Sequence, residues 1–212
     1  MRPDRPLPRS DRAQAHTLEA AIAALLLLTS VGIALQMTAV TPLSASTSSQ
    51  HLENQLEKTS KGILASNAET GGLKEAVLYW NDTADSFYNT TGEKYYTEDP
   101  PKNISLGESL NRTLDKRNVA YNVNIVYQNE RGFQRRQRMI YRGEPSEHAV
   151  RASHSVTIVD TDKLRNSDGT LSATTVTDAA NDPDKSLYLL DSTNSTTGVY
   201  NHVRVEVIAW RI

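Results

Sequence analysis

The chain has no cysteine. That excludes disulfides, thiol nucleophiles and cysteine metal sites, so any folded part must be held together by its apolar core. The G-x-S-x-G, H-E-x-x-H and glycine-rich phosphate-loop patterns are also missing, and no internal repeat is visible. Beyond residue 42 there are 19 basic and 22 acidic side chains, a near balance that carries no nucleic-acid footprint. The most consequential absence is local: no Asp, Glu, Lys or Arg occurs from Ala20 to Leu52.

What fills the first part of that interval is Ala20 to Val40, AAIAALLLLTSVGIALQMTAV. As a helix rising ~1.5 Å per residue it is roughly 30 Å long, the thickness of a bilayer's hydrocarbon core. Its few polar residues, Thr29, Ser30, Gln36 and Thr38, are scattered around the wheel and make no polar face. It is therefore predicted to span a membrane, with lipid as its partner. A secretory signal has a shorter apolar core, although cleavage near Thr41 to Ala45 is the alternative. Arg2, Arg5, Arg9 and Arg12 precede the run, and uncharged Ser and Thr follow it. By the positive-inside rule, the N-terminus is expected in the cytoplasm and residues 43–212 outside the cell.

Arg12-Ala13-Gln14-Ala15-His16-Thr17-Leu18-Glu19, running straight into the apolar helix, resembles the class III signal sequence of archaeal type IV pilin-like proteins. The resemblance covers about residues 12–40. It implies that a prepilin peptidase-like enzyme cuts between Ala13 and Gln14 after Arg12, leaving the apolar helix on the mature chain. It also implies that Glu19 resembles the glutamate of bacterial pilins that pairs with a neighbouring subunit's new amino terminus. Here Glu19 would be the sixth residue after the cut rather than the fifth, a departure from that pattern. A carboxylate at a helix start is also favoured by the helix macrodipole and the nearby headgroups.

Residues 44–49 have a linker composition, and Leu52, Leu56 and Ile63 then mark a helical stripe. Pro42 is expected to kink or interrupt the helix. A second helix is predicted across Leu73 to Tyr88, burying Ala76, Val77, Trp80 and Phe87. Ser105 to Glu108 reads as a capping box that opens a short helix ending near Asn118. The period then changes to two. Val119 to Tyr127 is predicted as a half-buried strand, Phe133 to Arg142 as its hairpin partner, and Val150 to Asp160 as a third strand. Residues 161–183 read as a long loop and Lys185 to Leu190 as a short strand. Val199 to Ile212 is apolar on both faces and is expected at the centre of the sheet.

Candidate sites are few. Arg136, Arg138 and Arg142 are expected on one strand face, either solvated or contacting an acidic neighbouring subunit or anionic polymer. Asn81, Asn89, Asn103, Asn111 and Asn194 begin Asn-X-Ser/Thr sequons, possible glycosylation sites. His148 and His154 lack a third metal ligand, and Leu164 occupies an oxygen-ligand position in the only calcium-loop-like stretch. No metal, cofactor or catalytic residue is assigned.

The expected fold class is α+β, a transmembrane helix followed by helices and an antiparallel sheet, as in pilins. Its segments are a cytoplasmic leader 1–13, a transmembrane and assembly helix 14–41, a Ser/Thr-rich linker and helical stalk 42–72, and an extracellular domain 73–212. The expected function is a noncatalytic pilin-like subunit of a type IV pilus or related secretion or adhesion assembly, with other pilin-like subunits as partners. A single-pass tethered binding or sensor domain that never assembles is the alternative, and a secreted hydrolase ranks last.

Overall fold

Ala and Leu favour helix, and a helix is the one local structure that satisfies every backbone polar group within an apolar run. In the computed structural model, which describes residues 9–129, 131–189 and 198–211, and only the backbone of 9–15 and 37–48, helix α1 runs Arg9–Glu69. It passes through Pro42, where an interruption was expected. One absent amide donor costs about 3 kcal/mol in a helix interior, and long hydrogen-bonded ladders on both sides hold the helical path. The chain divides into two units, Met1–His51 and Leu52–Ile212. The expected linker and stalk thus form one helix as far as Glu69, shared between the units.

In the second unit the end of α1 buries Ile63 and Leu64. Gly71, at φ 81°, turns the chain into α2 (Gly72–Val77). The expected helix to Tyr88 stops there, replaced by a hairpin of β1 (Trp80–Asn81) and β2 (Ser86–Phe87). The cause is local: the Asn81 side-chain oxygen accepts from the N–H groups of Thr83 and Ala84, at 3.2 and 3.1 Å, and bends the backbone out of helix. The four residues expected in the core, Ala76, Val77, Trp80 and Phe87, are buried nonetheless.

Helix α3 (Ser105–Thr113) continues as a 3₁₀ turn, Asp115–Arg117, and ends at Asn118 with φ 53°. The expected capping box is absent. Ser105 lies inside the helix, and its N–H and hydroxyl both donate to Glu75 Oε2 at 3.0 and 2.8 Å. A carboxylate from α2 thus meets the positive end of α3.

The sheet strands are β3 (Val119–Gln128), β4 (Gln134–Ile140) and β5 (Val150–Val159). Next come β6 (Lys163–Arg165), β7 (Leu171–Thr175), α4 (Val176–Asn181) and finally β8 (Val199–Arg211). The main sheet is antiparallel in the order β4-β3-β8-β5, with β8 inside as expected.

Residues 161–183 are not a loop. Asn166 and Thr170 close the β6–β7 hairpin by backbone and side-chain hydrogen bonds, while Leu164, Val176 and Ala179 anchor the segment in the core. Residues 185–189 form no strand; Tyr188 and Leu189 are buried there, and Leu190 lies outside the described residues.

One sheet face, with Tyr121, Val123, Ile125, Val203, Val205 and Val207, belongs to the main core together with Leu64, Leu73, Leu106 and Leu110. β3 is buried on both faces rather than half-buried, because Asn122 and Asn124 on its other side are also covered.

Candidate functional site

Two features stand apart from the packed core. The first is the apolar part of α1. His16–Gln36 has a mean hydropathy of 2.2 over its most apolar window, none of which is buried, so the segment is long and apolar enough to cross a membrane. Leu25, Leu26, Leu27 and Leu28 are 65–74% exposed. Its hydroxyls are turned back onto their own helix: Thr29 Oγ1 donates to the carbonyls of Leu25 and Leu26, and Ser30 Oγ to Leu27, all at 2.9 Å. That pairing lets hydroxyls sit in an apolar surrounding without an unmet hydrogen bond. At the helix's start, Glu19 Oε2 lies 3.8 Å from His16 Nδ1 one turn away, and both are exposed. Arg12, Ala13 and Gln14 are helical; their side chains lie outside the described residues.

The second feature is the sheet face turned away from the core. Arg138, Asn124, Glu206 and Ser153 stand in one row across the four strands, and Arg136, Val126, Arg204 and Ser155 in the next. Glu206 is only 3% exposed. Arg151 Nη1 reaches its carboxylate at 3.2 Å, Arg136 Nη2 at 3.9 Å and Asn124 Nδ2 at 3.4 Å. Arginines from both edge strands therefore converge on one carboxylate of the central strand and hold their own side chains against the sheet. Arg138 lies over the Tyr141 ring, 4.2 Å from its centroid.

Arg142 does not share this face. At the Val123/Asn124 pairing, β4 places two residues opposite one, which is a bulge. Beyond it Ile140 turns into the core, and Arg142 pairs with Asp115 and lies 4.1 Å from the centroid of the Tyr121 ring. Burial pushes the Tyr121 hydroxyl's pKa far up, so it stays neutral and donates to Asp115 Oδ2 at 3.1 Å. Arg151, Arg204 and Glu206, missed in the sequence, complete the face instead; the signal was their alternation with the valines of β8 and the small residues of β5.

The sequons differ in setting. Asn89 is exposed at φ 61°. Asn103 Nδ2 donates to the Ser167 carbonyl at 2.8 Å, and Asn111 Nδ2 to Asp115 Oδ2 at 3.4 Å. Asn81 is engaged in its turn, and Asn194 lies outside the described residues. His148 Nδ1 meets Glu53 Oε1 at 2.9 Å, whereas His154 is exposed on β5. Among the described residues no group of three or more His, Asp or Glu side chains is placed to hold a metal ion.

No curated protein and no solved structure matches the chain. A family model described as Family of unknown function (DUF7288) matches residues 12–209, which include the apolar part of α1 and nearly all of the sheet unit. The chain therefore belongs to the Family of unknown function (DUF7288).

Proposed function

We propose that the protein is a noncatalytic, single-pass membrane subunit of a pilin-like surface assembly. The observation that carries this reading is the exposure of nine large aliphatic side chains between Leu18 and Leu35, a stretch of helix whose one charged residue is Glu19. At about 2 kcal/mol for each such side chain, leaving them in water forgoes on the order of 15–20 kcal/mol. That is as much as a whole domain's net stability of about 5–15 kcal/mol. Lipid removes the penalty. The continuation of α1 into a helix that packs on an antiparallel sheet is the arrangement expected of a pilin-like subunit, and it supports assembly over a simple tether.

In this reading residues 1–13 are the cytoplasmic leader, and a prepilin peptidase-like enzyme cuts between Ala13 and Gln14. The apolar helices of neighbouring subunits then pack side by side. The small residues Ala20, Ala21, Ala23, Ala24, Ser30, Gly32 and Ala34 allow close approach, and a Cβ at Gly32 would meet nothing within 4 Å on its own chain. Glu19, at the headgroup level, is the assembly residue, and the sheet unit is displayed outside the cell, where its sequons meet any glycosylation machinery.

Mass spectrometry of the mature amino terminus is the test. A start at Gln14, lost in Ala13→Leu, is the expected result. An intact arginine-rich leader would favour the tethered binding domain, and a start near Ser44 would favour secretion; either would overturn the proposal.

A further inference from the structure

The arginine-bearing part of the sheet's outer face, where Arg136, Arg138 and Arg151 are exposed, and the segment between β5 and β8 carry opposite charge. On the face, Arg136, Arg138, Arg151 and Arg204 outnumber the single Glu206. Arg136 and Arg151 remain 55% and 60% exposed although both reach Glu206, so their outward donors stay available. Arg204 Nε is buried and has no hydrogen-bond acceptor.

Residues 160–184 contain six Asp against Lys163 and Arg165. Asp168, Asp178 and Asp184 are exposed. Hydrogen bonds from Thr170 and Thr175 hold the carboxyls of Asp168 and Asp178 below the usual range, which keeps them ionised.

The two surfaces point in different directions. The acidic segment is pinned to the core side of the sheet: Arg165 N–H donates to the Leu78 carbonyl at 2.9 Å, and Tyr79 Oη to the Ser167 carbonyl at 2.6 Å. Just beyond it, Tyr188 Oη donates to the Val77 carbonyl at 2.7 Å. The arginines lie on the opposite face, so one molecule cannot satisfy both surfaces by folding one onto the other.

We propose that the arginine face docks on the aspartate-rich segment of a second copy of this chain. Such a contact joins unlike surfaces, so it repeats from subunit to subunit and builds a ring or a filament. The inference rests on the assembly reading above and specifies where the sheet units touch.

A charge swap tests it on the full-length chain in detergent micelles. Arg138→Glu/Arg151→Glu turns the face to three carboxylates against two arginines, and Asp168→Lys/Asp178→Lys/Asp184→Lys turns the segment to three aspartates against five basic residues. Each variant alone is expected to lose cross-linked oligomers, with self-association on the order of tenfold weaker at moderate salt. An equimolar mixture of the two is expected to recover them, since each reversed surface then finds its complement. Circular dichroism melting of each variant verifies folding. Oligomers unaffected by either reversal, or lost and not recovered in the mixture, would overturn the proposal. So would capture of a soluble polyanion such as heparin that depends on the face alone with no recovery in the mixture, which would make the face a polyanion site. Membrane fractionation of the same variants keeps the two readings apart. Variants that stay in the membrane but fail to recover contacts sink the docking surface only, whereas a wild-type chain found in the aqueous fraction sinks the assembly reading itself.

Discussion

At Gly107 a single methyl has a large predicted consequence. A Cβ there would stand 1.8 Å from the Pro101 carbonyl oxygen, in backbone that cannot swing aside as a side chain can. Gly107→Ala should therefore destabilise the sheet unit by about 2–3 kcal/mol, read from urea melts, despite alanine's better helix propensity. Arg142 is the second case. It joins the 3₁₀ turn to β3 through Asp115 and Tyr121, and its removal leaves Asp115 partly buried without its cation. Arg142→Ala should cost about 2 kcal/mol by the same measurement, whereas Arg138→Ala, more exposed on the open face, should cost well under 1 kcal/mol. The acid side of the stability profile belongs here too. The carboxyl pKa of Asp178 is depressed in the folded chain by its hydrogen bonding with Thr175, the side chain first and then the backbone N–H that donates to Oδ2 at 3.2 Å, so its contribution is present above the unfolded value of about 4. That contribution is lost as pH falls through the lower folded value. The melting temperature should drop below about pH 4, and Asp178→Asn should flatten the drop.

At the scale of elements, the period of the apolar residues carried the reading a long way. The alternation in Val119 to Tyr127 and Val203 to Val207, and the charge-free run from Ala20, each identified an element and, for β8, its inner place in the sheet. What stayed hidden depended on contacts distant in sequence or on turn chemistry. Asn81 ends a helical pattern through a hydrogen bond to its own turn, and Glu75 caps α3 from 30 residues away. The β6–β7 hairpin is polar enough to pass for a loop, yet Leu164 and Val176 are buried. The arginine face was legible only in half. Its β4 members were plain, but the bulge that removes Arg142, and the pairing that brings Arg151 and Arg204 alongside, are properties of sheet register. For the apolar part of α1 the prediction is direct. Leu25→Arg with Leu28→Arg puts two charges at membrane depth, at about 2.5–3.5 kcal/mol each. Membrane-bound protein should fall sharply, while the sheet unit keeps its melting temperature.

For the whole molecule, a helix suited to lipid is joined to a unit with a complete core of its own, and the family match extends across both. A membrane role for the chain requires that lipid surround residues 16–36 in the finished protein. Alkaline carbonate extraction of membranes from cells expressing the full chain, with the intact mass of each fraction read by mass spectrometry, measures this most directly. The chain is expected to stay in the carbonate-resistant pellet with residues 16–36 attached. Recovery of the chain in the aqueous supernatant with that segment still present would contradict it.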